Sequence, residues 1–125
     1  MGSFLINGGK SLQGEITPQG AKNEALQILS AVLLSEDKIR INNVPDILDV
    51  RKLIELLIGL GVKVERHADE EFTFQADNID LDYFASQTYL DNARRIRGSV
   101  MLMGPLLARF AAALTYLSPR RFRSR

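Results

Sequence analysis

Gln19-Gly20-Ala21-Lys22-Asn23 opens the first strongly apolar helix predicted in the chain, and the remaining sequence is organised around it. The start of a helix offers unpaired backbone N–H groups and a partial positive charge. A lysine ammonium and an asparagine amide beside those groups favour an anionic, oxygen-rich ligand. The spacing alone is also typical of a solvated lysine next to a polar helix start, so both interpretations stay open at this point.

Composition sets the outer limits. The chain has 125 residues, of which 46% are hydrophobic and 25% charged, with a net charge of +1. This length is enough for a domain with its own core. The absence of cysteine excludes disulfides, thiolate metal sites and a cysteine nucleophile. A single histidine, His67, cannot build a zinc site, and we expect it in an exposed turn.

Two further classes are disfavoured by the pattern of the sequence. No apolar run reaches the roughly 18 residues of a membrane span, and no signal-peptide pattern opens the chain. We therefore expect a cytoplasmic protein with no membrane partner and no metal.

Hydrophobic spacing predicts both helices and strands, including an antiparallel hairpin, and we expect an α+β fold. We expect Asp46 to cap the second helix and Gly61 to end it. Asp77 to Tyr89 is interpreted as a polar strand or loop. The expected elements are strands at 4–6, 12–17 and 38–44, helices at 21–36 and 46–60, and a hairpin of 62–66 with 72–75.

A third helix is predicted over residues 92–110, with an apolar stripe that includes Val100, Met103 and Leu107. Pro105 should kink this helix or mark a turn. Arginines 94, 95 and 97 cluster where the helix is expected to start, and cations there oppose the helix dipole. The cluster is either a binding site for an anion or a solvated basic face.

The first and third helices can be laid on each other at a constant offset of 74 positions, which places Asn23 on Arg97 and Leu33 on Leu107. Any two amphipathic helices align somewhere, so the repeat is weak. It predicts that a unit of strands and helices occurs once in full and a second time in part.

A set of motifs in one order carries a resemblance to a known family. They resemble the UDP-N-acetylglucosamine enolpyruvyl transferases, over about Phe4 to Phe110. The motifs are Gly20-Ala21-Lys22-Asn23, Leu33-Leu34, Asn43-Val44-Pro45 with Asp49-Val50, Leu60-Gly61-Val62-Lys63-Val64, Arg97-Gly98-Ser99 and Gly104-Pro105-Leu106-Leu107-Ala108-Arg109-Phe110.

The resemblance implies an inside-out α/β barrel made of repeated βαβαββ units, of which this chain would hold one complete unit and a second, truncated one. It divides the chain into three parts. Residues 1–18 would be strands that pack with the other domain, residues 19–110 a partial N-terminal domain, and residues 111–125 a divergent basic tail.

The resemblance also implies a reaction, which is transfer of the enolpyruvyl group of phosphoenolpyruvate to the 3′-hydroxyl of UDP-N-acetylglucosamine without a cofactor. This is the first committed step of peptidoglycan synthesis. Lys22 is implied to contact phosphoenolpyruvate, Asn23 to help hold the adduct and the sugar, and Arg97 to contact the UDP-sugar.

The sequence departs from the family pattern after Phe110. There the family continues to a mobile loop with Gly-Gly and a catalytic Cys or Asp, and after Phe110 this sequence has neither a Gly-Gly pair nor a cysteine. No catalytic acid is therefore assigned. We expect a truncated product, without its C-terminal domain and inactive alone, and a shifted reading frame near Ala111 would explain the tail.

Three other interpretations compete with this one. The chain could be a non-catalytic half-domain that binds the UDP-sugar through Asn23 and Arg97. It could belong to the shikimate-route relative, which Asn23 disfavours. It could bind nucleic acid through its terminal arginines, but no aromatic stacking platform accompanies them, so we expect no nucleic-acid partner.

Overall fold

A computed structural model describes residues 2–110 of the chain. Within this range two short 3-10 helices, Val32–Leu34 and Arg97–Leu102, accompany the main elements. Those elements are the helices α1 (Lys22–Ala31), α2 (Leu48–Gly59), α3 (Leu81–Phe84), α4 (Gln87–Arg94) and α5 (Met103–Phe110), and the strands β1 (Lys38–Ile41), β2 (Lys63–Ala68) and β3 (Glu71–Gln75).

The three strands form one antiparallel sheet in the order β1-β3-β2. β2 and β3 are the predicted hairpin, and the central strand β3 places Phe74 opposite Ile39 of β1 and Val64 of β2. Phe74 is fully buried, which shows that this face of the sheet packs against the helices. His67 lies in β2 rather than in the turn, and its Nε2 is 2.7 Å from the hydroxyl of Thr73.

The core lies between that sheet face and the helices. α1 buries Leu29, and the 3-10 helix that continues it buries Leu33, at the helical spacing predicted for this stripe. The regular α-helix ends at Ala31, five residues before the expected end. The other fully buried leucines are Leu53, Leu57 and Leu60 in and after α2, and Leu102 and Leu106 near the C-terminal end of the described chain.

The second helix ends as predicted but starts differently. Gly61 has φ +98°, a left-handed conformation that glycine adopts easily, and it follows α2 directly. The prediction that Asp46 caps α2 was wrong, because Ile47 occupies the cap position and no side chain accepts there. Asp46 instead accepts two hydrogen bonds from the Arg51 guanidinium, one of them 2.6 Å long.

The region predicted as a polar strand or loop, residues 77–89, contains α3 and the start of α4 instead. The side chain of the residue just before each helix caps it. The Asp80 carboxylate accepts a hydrogen bond from the N–H of Tyr83, and the Ser86 hydroxyl accepts one from the N–H of Tyr89. Of the alternating aspartates in this region, Asp80 therefore caps the start of α3 and Asp82 lies in its first turn.

The predicted third helix is interrupted. α4 ends at Arg94, a 3-10 helix follows, and only then does α5 begin. The 3-10 turns advance by three residues rather than 3.6, which shifts the buried side by one position. Leu102 and Leu106 are buried, whereas Val100 and Leu107 of the predicted stripe are about half exposed. Pro105 does not kink a helix, because it lies in the first turn of α5, where no N–H is needed.

The interruption also changes the interpretation of the arginine cluster. Arg94 lies in the last turn of α4 and Arg95 is its C-terminal cap residue, so both sit where a cation is favoured by the helix dipole. The local cost that was expected from cations at a helix start is therefore absent at these two positions. Burial also fails to follow the offset of 74, since Leu33 is buried and its counterpart Leu107 is not.

Residues 2–18 form no strand in this structure, so the strands predicted at 4–6 and 12–17 were wrong for it. A strand requires a neighbour that takes up its N–H and C=O groups, and these residues join neither edge of the sheet. The apolar side chains of this segment are almost fully exposed: Phe4, Leu5, Ile6, Leu12 and Ile16. The predicted basic tail, 111–125, lies outside the described residues.

Candidate functional site

A cleft of about 450 Å³ opens between the start of α1, the start of α2 and the 3-10 helix Arg97–Leu102. Its charged side chains are Lys22, Asp49 and Arg97. The full lining is Lys22, Asn23, Leu26, Gln27, Asp49, Arg97, Gly98, Val100 and Met101. All three side chains predicted to bind substrate, Lys22, Asn23 and Arg97, thus line one cavity, although 74 positions separate Asn23 from Arg97.

α1 supplies the first wall because of how its side chains repeat. Lys22 with Leu26, and Asn23 with Gln27, are four positions apart and lie on one face of the helix. Leu26 is buried at the floor, while Lys22, Asn23 and Gln27 remain exposed. The polar groups therefore face the cleft from an apolar base.

Lys22 forms an ion pair with Asp49, its Nζ contacting the Oδ2 of the carboxylate. The pair joins the first turn of α1 to the first turn of α2. The Lys22 side chain is 50% exposed and that of Asp49 is 39% exposed. The ammonium is thus oriented by a carboxylate and still open to solvent.

Arg97 reaches the cleft because its backbone approaches α1 closely. A Cβ on the next residue, Gly98, would lie 2.9 Å from Cδ1 of Leu26, so a side chain there would crowd the helix. Arg97 itself is exposed, and within residues 2–110 it makes no ion pair. Its guanidinium is available to a ligand.

The position of the α1 start is fixed by a second close approach. A Cβ on Gly20 would overlap the carbonyl oxygen of Asn43, and Pro45 packs on the same side. Asn43 has φ 57°, the left-handed conformation that asparagine adopts more readily than most residues. The backbone N–H of Val44 donates to the carbonyl of Glu70 at 2.9 Å. The Gly20 and Asn43-Val44-Pro45 motifs therefore contact each other and set where Lys22 begins its helix.

Asp49 is the site residue that reasoning from the sequence missed. In the sequence it stands out only as part of the Asp49-Val50 motif, and the structure places it in the first turn of α2. The sequence did contain one signal for this pair. A carboxylate follows one predicted helix start, and a lysine without a predicted partner lies at another. Nothing in the sequence showed that the two helix starts are adjacent.

Other candidate groups do not join the cleft. Arg94 and Arg95 do not line it, and Arg95 borders a separate, smaller pocket with Tyr83 and Asn92. Across residues 2–110 no group of three or more His, Cys, Asp or Glu side chains is arranged to hold a metal ion. In the same range, every helix is too short or too polar to cross a membrane.

Comparison with known proteins gives a consistent result. The family model of EPSP synthase (3-phosphoshikimate 1-carboxyvinyltransferase) matches residues 6–118. A UDP-N-acetylglucosamine 1-carboxyvinyltransferase of Porphyromonas gingivalis is 54% identical over 114 residues, which is 91% of this chain and 26% of the relative. A protein of the same name from Bacteroides thetaiotaomicron is 51% identical over 114 residues, with the same coverage.

The fold has a solved counterpart. The enolpyruvyl transferase NikO from Streptomyces tendae matches with a TM-score of 0.62 and 29% identity, over 82% of this chain and 23% of that one. The chain thus spans about a quarter of the length of the relatives that it matches.

Proposed function

Because this chain belongs to the EPSP synthase family of carboxyvinyltransferases, we propose that the protein carrying it transfers an enolpyruvyl group from phosphoenolpyruvate to the 3′-hydroxyl of UDP-N-acetylglucosamine. That reaction would commit the sugar to peptidoglycan synthesis and so to building the cell wall. The sugar is proposed over shikimate 3-phosphate because the relatives of 40–54% identity carry the UDP-N-acetylglucosamine name.

One observation carries the proposal: Lys22, Asn23 and Arg97 line the same cleft. Both substrates are densely anionic, so two cations and an amide in a concave site can hold them. In the proposed roles Lys22 contacts the phosphate and carboxylate of phosphoenolpyruvate, Asn23 holds the adduct and the sugar, and Arg97 contacts the UDP-sugar.

The chemistry follows from these positions. The sugar 3′-hydroxyl gives up its proton as its oxygen bonds to the central carbon of phosphoenolpyruvate. The methylene carbon takes up a proton and becomes a methyl group, which gives a tetrahedral adduct that still carries phosphate. The adduct then loses phosphate together with a proton from that methyl group, which regenerates the double bond. Fixed cations lower the barrier by orienting the two reactants and by stabilising charge on the phosphate and carboxylate oxygens. Protonation of the methylene carbon is not assigned to any residue of this chain.

We further infer that the described unit is one βαβαββ repeat of an inside-out barrel, with part of a second. The 125-residue chain alone should then bind without turnover. It supplies one wall of the site, and its sequence contains no Gly-Gly-Cys loop. A binding half-domain is the second candidate function, and the exposed Arg97 supports it.

A titration of the isotope-labelled chain separates these possibilities. We expect UDP-N-acetylglucosamine and phosphoenolpyruvate to shift the amide resonances of Lys22, Asn23, Asp49 and Arg97, and shikimate 3-phosphate to shift them less at the same concentration. Equal or larger shifts with shikimate 3-phosphate would favour the shikimate-route alternative. The absence of shifts with all three compounds would count against the cleft as a substrate site.

Activity is tested in a chimera. Residues 6–110 replace the corresponding segment of the Porphyromonas gingivalis relative, and phosphate release is measured with both substrates present. We expect turnover within the range of the parent enzyme, and no turnover from the 125-residue chain alone. A dead, correctly folded chimera contradicts the proposed roles, and an active isolated chain contradicts the one-wall interpretation.

A further inference from the structure

The ion pair between Lys22 and Asp49 joins two charges whose helix positions differ in energy. Lys22 is the first residue of α1, where a cation opposes the partial positive charge of the helix start. Asp49 lies in the first turn of α2, where an anion is favoured. Neither helix has a side-chain cap. Asp49 therefore offsets an unfavourable cation from a position that is itself favourable.

The same pair is easily broken. Both side chains are between one-third and one-half exposed, and pairs of this kind contribute little to folding because water solvates the separated charges well. α1 and α2 are held together instead by the shared apolar core that contains Leu29 and Leu53. The carboxylate can leave the ammonium without opening the fold.

The charges that line the cleft determine how the separation of Asp49 from Lys22 affects ligand binding. Among its lining residues Asp49 is the single carboxylate, against the cations Lys22 and Arg97. An anionic ligand that approaches Lys22 is repelled by the Asp49 carboxylate unless it displaces that carboxylate from the ammonium. A ligand with a doubly charged phosphoryl group competes better than a monoanion, because its attraction to the ammonium is larger.

We propose that Asp49 is a positioning residue: it is the built-in counter-ion of Lys22, it orients the ammonium in the empty cleft, and an incoming phosphoryl dianion displaces it. This inference rests on the proposed function, which assigns Lys22 to the phosphate-bearing substrate. It adds that Asp49 sets the threshold for that substrate and discriminates against singly charged carboxylates.

Acetylation of lysine amines, followed by mass spectrometry of the full 125-residue chain, measures the exchange. A lysine amine that is held against a carboxylate is less free to reach the reagent, so it reacts slowly. We expect Asp49→Asn to raise the labelling rate of Lys22 while Lys10 and Lys38 react as before. Unchanged rates at those two lysines show that the reagent acts equally on both proteins, and an unchanged circular dichroism spectrum shows that the fold is intact. A Lys22 rate equal in wild type and variant would overturn the pairing.

Protection of Lys22 by phosphoenolpyruvate then measures displacement. We expect Asp49→Asn to lower the concentration for half protection about fivefold, since it removes a weak competing ion pair. Pyruvate should protect Lys22 in the variant and much less in wild type. Asp46→Asn is the matched control, because it removes the same charge three residues away, from a carboxylate paired with Arg51 outside the cleft. It should leave the midpoint unchanged.

The outcomes separate this inference from the proposed function. Protection in wild type with an unchanged or higher midpoint in Asp49→Asn overturns the role of Asp49 alone. The same shift in Asp46→Asn also overturns it, since the effect would then be one of net charge. Failure of phosphoenolpyruvate to protect Lys22 in any variant contradicts the role proposed for Lys22, and the counter-ion inference falls with it.

Discussion

Lys22 is the residue on which the proposed chemistry depends most, because its ammonium lines the cleft where phosphoenolpyruvate is proposed to bind. We expect Lys22→Ala in the active chimera to abolish measurable phosphate release. Lys38→Ala is the control, since that lysine lies on β1 and does not line the cleft. Activity within about tenfold of the parent would mean that less than about 1.4 kcal/mol of barrier depends on Lys22, and its proposed role would be wrong.

Gly20 tests whether the backbone contact with Asn43 sets the site. We expect Gly20→Ala to destabilise the fold by about 2 kcal/mol, because the new methyl group meets a backbone carbonyl that cannot rotate away. Urea unfolding of the 125-residue chain measures this. Gly104→Ala is the control, since a Cβ there meets nothing within 4 Å and alanine is the better helix former. Equal stability of Gly20→Ala and wild type would show that the loop of Asn43 yields freely.

For individual residues, the sequence was most informative where a residue belonged to a motif. Lys22, Asn23 and Arg97 were named from a resemblance, and the structure places all three around one cleft. Their binding roles stay a prediction. Asp49 was missed because its partner lies 27 positions earlier, and only the packing of α1 on α2 brings the two side chains together.

Among the elements, those with a single clear period were predicted well. α2, β1 and the hairpin of β2 and β3 lie where alternation or helical spacing placed them, with ends that differ by a few residues. The caps Asp80 and Ser86 were visible in the sequence but were interpreted as loop residues. The break between α4 and α5 was not foreseen, because an apolar stripe with one shifted step resembles a continuous helix.

Arg109 shows how α5 is joined to the end of the first helix. Its Nη1 donates to the carbonyls of Leu33 and Ser35 at 2.9 and 3.2 Å, and Nη2 lies 3.3 Å from Glu36. Carbonyls at the end of a helix lack partners within it, so the guanidinium supplies them. The side chain is only 14% exposed, which strengthens these contacts relative to a surface pair.

We expect Arg109→Ala to lower the free energy of unfolding by about 2 kcal/mol, because two carbonyls lose a charged donor in a partly buried place. Arg94→Ala is the matched control: its side chain is 58% exposed and its contact with Asp91 is 4.0 Å long, so its loss should change stability by less than about 0.5 kcal/mol. Similar losses in the two variants would contradict the bridging role of Arg109.

For the whole molecule, what can be predicted from the sequence is limited by contacts between segments that lie far apart in the chain. Residues 4–6 and 12–17 have the composition of strands, yet strand formation depends on a neighbouring edge that this sheet does not offer them. The family was recognised from motifs that span the described part of the chain, and the reaction stays a proposal. The full barrel remains an inference, because residues 2–110 contain one sheet of three strands.

Global stability should fall in acid through two surface carboxylates. Hydrogen bonds from Arg51 hold the pKa of Asp46 below its ordinary value, and the hydrogen bond from Lys63, at 2.7 Å, does the same for the pKa of Asp77. A carboxyl whose pKa is lower in the folded state stabilises the fold fully above its unfolded value, near pH 4, and loses that contribution as the pH falls through the folded value.

We therefore expect Asp77→Asn to unfold at lower urea concentration than wild type at pH 6, and the difference between the two to disappear as the pH is lowered towards 2. Lys63→Met should weaken the pH dependence in the same direction, since it removes the main donor that lowers the pKa of Asp77 and leaves the backbone N–H donors of Asp77 and Asn78. The double variant should lose no more than Asp77→Asn alone. A difference between wild type and Asp77→Asn that persists undiminished at pH 2 would show that the carboxylate acts through packing rather than through its charge.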